Sequence, residues 1–177
     1  MTMIRSMSRR AFLPLVAGAA LSPVVLVPQA ARAQGANWQI YRREDLGFEV
    51  ELPGRPEIRK ERVDGQAAVE VNVDVDQLRF GVGYQEYEEA MSVEEFAAAQ
   101  RLSARALGGK VTRETIITMN GFRGLEIIIE AGLLSMAMKV VLIPERKQSI
   151  SALVSGDGRL SENPSVRRFL DSFKLLP

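Results

Sequence analysis

Between Phe122 and Val154 three apolar, alternating segments follow one another with only short turns between them, and this stretch constrains the fold more than any other. Along Phe122–Ile143 both faces of the pattern are apolar. Leu125, Ile127 and Ile129 alternate with Ile128, and Leu134, Met136, Met138, Val140 and Leu142 with Val141 and Ile143. Strands that are apolar on both faces are covered on both faces. A layered protein with this stretch at its centre is therefore expected, with Met136 and Met138 as core filling.

The flanking residues supply the layers. Asn37–Tyr41 reads as a short strand, and Gly47–Leu52 as a second with Phe48, Val50 and Leu52 on one face. Pro53-Gly54-Arg55-Pro56 then stops pairing, because neither proline can donate to a ladder. Glu57–Val63 and Gln66–Gln77 flank Asp64-Gly65, a dipeptide suited to a two-residue hairpin turn. The second of these strands points Val69, Val71, Val73 and Val75 one way and Glu70, Asn72, Asp74 and Asp76 the other. Arg79–Tyr87 continues with Phe80, Val82 and Tyr84 on one face and Gly81 and Gly83 on the other.

Ser92-Val93-Glu94-Glu95 is a capping box, so a helix is expected over Val93–Leu107, closed by Gly108-Gly109. Its alanines make it slim, with Phe96, Leu102 and Leu107 expected to touch the sheet. A second hairpin follows, Lys110–Met119 and Phe122–Ala131 around Asn120-Gly121, and then strands Leu133–Ile143 and Gln148–Ser155. Asn163-Pro164 starts a last helix with the stripe Val166, Phe169, Leu170 and Phe173. Five strands, a helix, four strands and a helix predict an α+β protein: an antiparallel β-sheet with two packed helices.

The first 33 residues have the three parts of an export signal: Arg5, Arg9 and Arg10, an apolar run Ala11–Val27, and Ala31-Arg32-Ala33, with cleavage expected after Ala33. Ser8-Arg9-Arg10-Ala11-Phe12-Leu13 resembles the twin-arginine signal, with Pro14 in place of its final Lys. Ser8, Arg9, Arg10, Phe12 and Leu13 would be read by the twin-arginine translocase, Ala31 and Ala33 by signal peptidase. An ordinary secretory signal with a chance arginine pair is the alternative. The apolar run has 17 residues and contains prolines, short of the roughly 20 apolar residues of a spanning helix. No membrane anchor is expected after cleavage, and no Cys is available for lipidation.

All 22 acidic residues follow Ala33 and four of the 23 basic ones precede it, so residues 34–177 carry a net charge of −3. That balance gives no reason to expect nucleic acid as a partner. One globular domain over residues 34–177 is expected, exported to the periplasm or secreted.

Gly47-Phe48-Glu49-Val50-Glu51-Leu52-Pro53-Gly54 and Phe169-Leu170-Asp171-Ser172-Phe173-Lys174-Leu175 together resemble the PsbP-like α/β/α sandwich superfamily, which includes DcrB-like proteins of bacterial envelopes. The resemblance implies that sandwich fold and an accessory or binding role. It carries over no catalytic residues, and the histidine that binds metal in photosynthetic members has no counterpart here.

With neither His nor Cys, the chain has no residues for a Cys or His nucleophile system, a common zinc site or an iron–sulfur cluster. Ser135 and Lys139 share a strand face but stand roughly 13 Å apart, too far for a dyad. The row Glu70, Asn72, Asp74, Asp76 imitates the start of a calcium loop, yet Gln77 replaces the required Gly and the interleaved valines indicate a solvated strand face. No enzyme, metal site or cofactor is expected. Two readings lead, an accessory protein that binds an envelope protein and a small-ligand carrier, with an enzyme using only carboxylates and Lys ranked third. The carrier would use a pocket lined by Tyr41, Gly81, Gly83, Tyr84 and Tyr87, because glycines leave room over a sheet and tyrosines offer flat walls. Function is to be sought near Arg79–Tyr87 and the Gly156–Asn163 loop.

Overall fold

A computed structural model describes residues 37–177 other than Asp64. The export-signal residues Ser8, Arg9, Arg10, Phe12, Leu13, Ala31 and Ala33 lie outside the described residues.

The elements follow the chain as β1 (Gln39–Arg43), β2 (Phe48–Leu52), β3 (Glu57–Val63), β4 (Gln66–Val75), β5 (Leu78–Glu86), α1 (Val93–Ala106), β6 (Lys110–Met119), β7 (Phe122–Ala131), β8 (Leu134–Ile143), β9 (Gln148–Gly156), α2 (Pro164–Ser172) and β10 (Lys174–Leu175). Seven strands form one sheet in the order β3-β4-β5-β9-β8-β7-β6, every neighbour antiparallel. A second sheet has the order β1-β2-β10. The described residues are thus α+β and rich in strand, with two α-helices, rather than a sheet evenly layered by helices.

Turn chemistry sets the register. Met119 pairs with Phe122 across Asn120 and Gly121, whose φ of 51° and 84° suit a two-residue hairpin turn. Val75 pairs with Leu78 across Asp76 and Gln77, both left-handed at φ 50° and 66° without a glycine. Asp76 therefore leaves the strand, and the acidic row ends at Asp74.

One face of the seven-stranded sheet is roofed over its middle strands, β4, β5, β9 and β8. Val71, Phe80, Val82, Ala152, Val154 and Val141 pack there against Phe48, Val50 and Leu52 of β2 and Val166, Phe169 and Phe173 of α2. The Phe169 ring meets Phe80 edge-on at 5.5 Å, and Trp38 meets Phe80 at 5.9 Å from the other side. This roof ties the two ends of the described chain together. The Leu176 N–H donates to Gly47 O, the Glu51 N–H to Ser172 Oγ, and Asn120 Nδ2 to Leu175 O. Lys139 lies under the roof at 12% side-chain exposure, donating to Leu170 O at 2.7 Å. A cation near the last carbonyls of α2 complements the helix dipole.

Among the described residues, the other face is roofed only by α1. Ser92 caps the helix: the Glu95 N–H donates to Ser92 Oγ, and the Ser92 N–H donates to the Glu95 carboxylate. Backbone and side-chain donation from Ser92 holds the Glu95 carboxyl below its ordinary range. Val93, Ala97 and Ala104, with Phe96 beside them, pack on Leu125, Ile127, Ile129, Met138 and Val140. The expectation for Leu102 and Leu107 is overturned, since they stand 69% and 44% exposed. Alanines let the α1 backbone lie close to the sheet, so its own small residues make the contact and the leucines turn outward.

Candidate functional site

The partly roofed face can be read in rows, because residues opposite one another across antiparallel strands share a face. One row runs Glu57, Asn72, Gly81, Leu153, Met138, Ile127, Glu114. The next runs Arg59, Glu70, Gly83, Ser151, Val140, Leu125, Ile116. Both rows begin charged at β3, are polar or side-chain-free across β4 and β5, and turn apolar at β8 and β7. The apolar end is where α1 lies. The polar end, over β3, β4, β5 and β9, is an open shelf.

The shelf owes its flatness to the two glycines. A Cβ built at Gly81 would meet Asn72 Oδ1 at 2.5 Å, and one at Gly83 would meet Ser151 Oγ at 3.0 Å. The room left by the missing side chains is thus taken by polar groups from the neighbouring strands. Ser149 and Ser155 continue the polar floor along β9, with Ser149 buried and joined to Tyr87 by a hydrogen bond of 2.8 Å between their hydroxyls. Burial pushes the Tyr87 hydroxyl above its ordinary pKa.

Tyr41, Gly81, Gly83, Tyr84 and Tyr87 do not converge on one pocket. Gly81, Gly83 and Tyr87 belong to the shelf. Tyr84 alternates with the glycines and so lies on the opposite, roofed face, where Gln148 Nε2 donates to its hydroxyl at 2.6 Å and the hydroxyl donates to Glu86 at 2.9 Å. Desolvation, then the Glu86 carboxylate, pushes the Tyr84 hydroxyl up to about 12. Tyr41 also packs on the roofed side, its ring 6.2 Å from Phe48. The period of two separates these residues: 81, 83 and 87 are odd, and 84 is even.

Two concavities lie at the end of the shelf. A depression of about 430 Å³ is lined by Asp74, Val75, Leu78, Arg79, Leu134 and Ser155, among others at the β4–β5 turn. A smaller one of about 200 Å³ shares Asp74 and Arg79 and adds Arg55, Glu57, Arg59, Asn72 and Val73. Arg79 donates twice to Asp74, at 2.8 and 3.1 Å, and these bonds hold the Asp74 carboxyl below its usual range. The region is a mixed-charge polar surface suited to hydrogen-bonded recognition. No group of three or more acidic residues placed to hold a metal occurs among the described residues.

Ser149, Ser151 and Ser155 were not singled out from the sequence, although their spacing of two, four and six residues is that of one strand face. No helix among the described residues is long and apolar enough to cross a membrane. No family model matches the chain, and no curated protein is significantly similar to it.

Proposed function

We propose that the chain is an exported, non-enzymatic accessory protein of the bacterial periplasm that binds another envelope protein across the open shelf of the large sheet. The observation that supports this reading is the incomplete roof. A half-buried, polar floor with glycines at 81 and 83 lies beside an apolar wall formed by Phe96, Met136 and Leu153. A partner laid on the shelf would meet hydrogen-bonding groups and an apolar margin together, the usual composition of a protein interface. The α/β/α sandwich of PsbP-like type belongs to this reading, with α1 as one outer layer and α2 with the small sheet as the other. Export would use the twin-arginine translocase and signal peptidase, with residues 1–33 removed.

A second reading, a small-ligand carrier, draws on the depression of about 430 Å³ at the β4–β5 turn. Pull-down from periplasmic extract with native mass spectrometry separates the two. The first reading expects a stoichiometric protein partner that is lost in Ser151→Arg and Gly83→Arg variants of unchanged circular dichroism. A retained small molecule with no protein partner would favour the carrier. For the route, a reporter fusion with Arg9 and Arg10 changed to Lys should stay in the cytoplasm. Undiminished export without the translocase would sink that part.

A further inference from the structure

Among the described residues the large sheet ends in two open edges, β3 and β6, each paired on one side only. An open edge offers a row of backbone donors and acceptors to any other strand, and proteins guard it with charge. β3 is guarded, since Glu57, Arg59, Lys60, Glu61 and Arg62 make up most of Glu57–Val63. β6 has Arg113, Glu114 and a register shift between Val111 and Arg113 in its first half, but Thr115-Ile116-Ile117-Thr118-Met119 carries no charge. Ile116 stands 52% exposed there.

We propose that two copies of this chain associate β6 to β6, joining their sheets antiparallel about a two-fold axis at Ile116. Geometry and charge favour a register centred in the uncharged half of β6, and within it Ile116 is the exposed large apolar residue. An axis relating antiparallel neighbours stands perpendicular to the sheet, so each residue faces one from the same side, and the paired residue numbers add to an even number. Registers centred on Arg113 or Glu114 set like charges opposite one another, which destabilises pairing. Centring on Ile116 sets Arg113 opposite Met119, Glu114 opposite Thr118 and the exposed isoleucine on its own copy.

The helices agree with that axis. α1 is fixed over the sheet by Arg123 to Glu94 and by Arg101 to Glu114, both at 2.6 Å. Arg123 lies beyond Leu125 in the direction away from Ile127, while Glu114 faces Ile127 and Ile116 faces Leu125. The level of Ile116 therefore falls between Glu94 and Arg101 on α1, at the small residues Ala97 and Ala98. A two-fold there runs the two helices antiparallel, with the acidic first turn of each level with Arg101 of the other.

Sedimentation of the purified protein from micromolar to near-millimolar concentration tests this. A concentration-dependent dimer is expected, weakened at least tenfold by Ile116→Lys and unchanged by Ile58→Lys on the β3 edge. A wild-type monomer throughout, or a dimer indifferent to Ile116→Lys, would overturn it. Because the chain has no cysteine, single-cysteine variants give a second readout that does not depend on how the lysine is tolerated. Ile116→Cys should oxidise to a covalent dimer much faster than Ile58→Cys, and equal rates would also overturn the proposal.

Discussion

The two faces of the large sheet are built from the same strands and do opposite work. On the roofed face, neighbouring strands contribute Val71, Val82 and Ala152 in one row, and α2 with the small sheet closes over them. On the other face the matching rows pass from charge to glycine to apolar, and α1 covers only the apolar end. Stability resides in the first face and in the covered part of the second. The polar part adds little apolar burial, so its side chains are available for recognition at small cost to the core, apart from Gly81 and Gly83, where a side chain would meet Asn72 or Ser151.

Mutations on each face can break or sharpen that contrast. Phe169→Ala removes a fully buried ring from the centre of the roof and should cost about 3–5 kcal/mol in chemical denaturation. Ile127→Ala, under α1 at 1% exposure, should cost about 2–5 kcal/mol, toward the lower end because α1 is slim and its alanines can settle. Equal loss from both would mean that α1 covers its part of the sheet as firmly as the roof covers the other face. Ser92→Ala deletes the cap and should cost about 1 kcal/mol, with faster amide exchange in the first turn of α1. Tyr84 gives a pH test. Its folded pKa of about 12 lies above the ordinary 10.0, so its protonated form stabilises the fold fully below pH 10 and that contribution is lost as pH rises through 12. Tyr84→Phe should remove this part of the alkaline fall in stability. Smallest of all, Ser151→Ala on the shelf should change stability by no more than about 0.5 kcal/mol. A larger loss would make Ser151 a structural group and weaken the case for a free surface.

Much of the fold was legible in the sequence because local chemistry and global need coincide. Asn120-Gly121 at positive φ, the Ser92–Glu95 capping box and the Val166, Phe169, Leu170, Phe173 stripe each specify one local structure, and each is observed. Two things were hidden. The turn at Asp76-Gln77 has left-handed residues without glycine, so nothing marked it. β10 is only two residues long and exists because β2 lies beside it. The candidate pocket fails on a parity the sequence already carries, since glycines at 81 and 83 and a tyrosine at 84 face opposite ways along one strand. Which part of a face stays uncovered depends on where α1 lands, and that is decided by packing rather than by any local pattern.

The roof also has a consequence for the order of folding. The bond from the Glu51 N–H to Ser172 Oγ spans 121 positions, whereas β6 to β9 are successive antiparallel neighbours joined by short turns. Closing the longer loop has the larger entropic cost and brings its reward later. The β6–β9 meander should therefore form early, and the meeting of β1, β2, α2 and β10 should come last. Substitutions in the meander should slow folding, while those in the roof should mainly hasten unfolding. During synthesis the sheet would wait with one apolar face bare until the final turn of α2 is available, and that interval is when the chain is most open to aggregation.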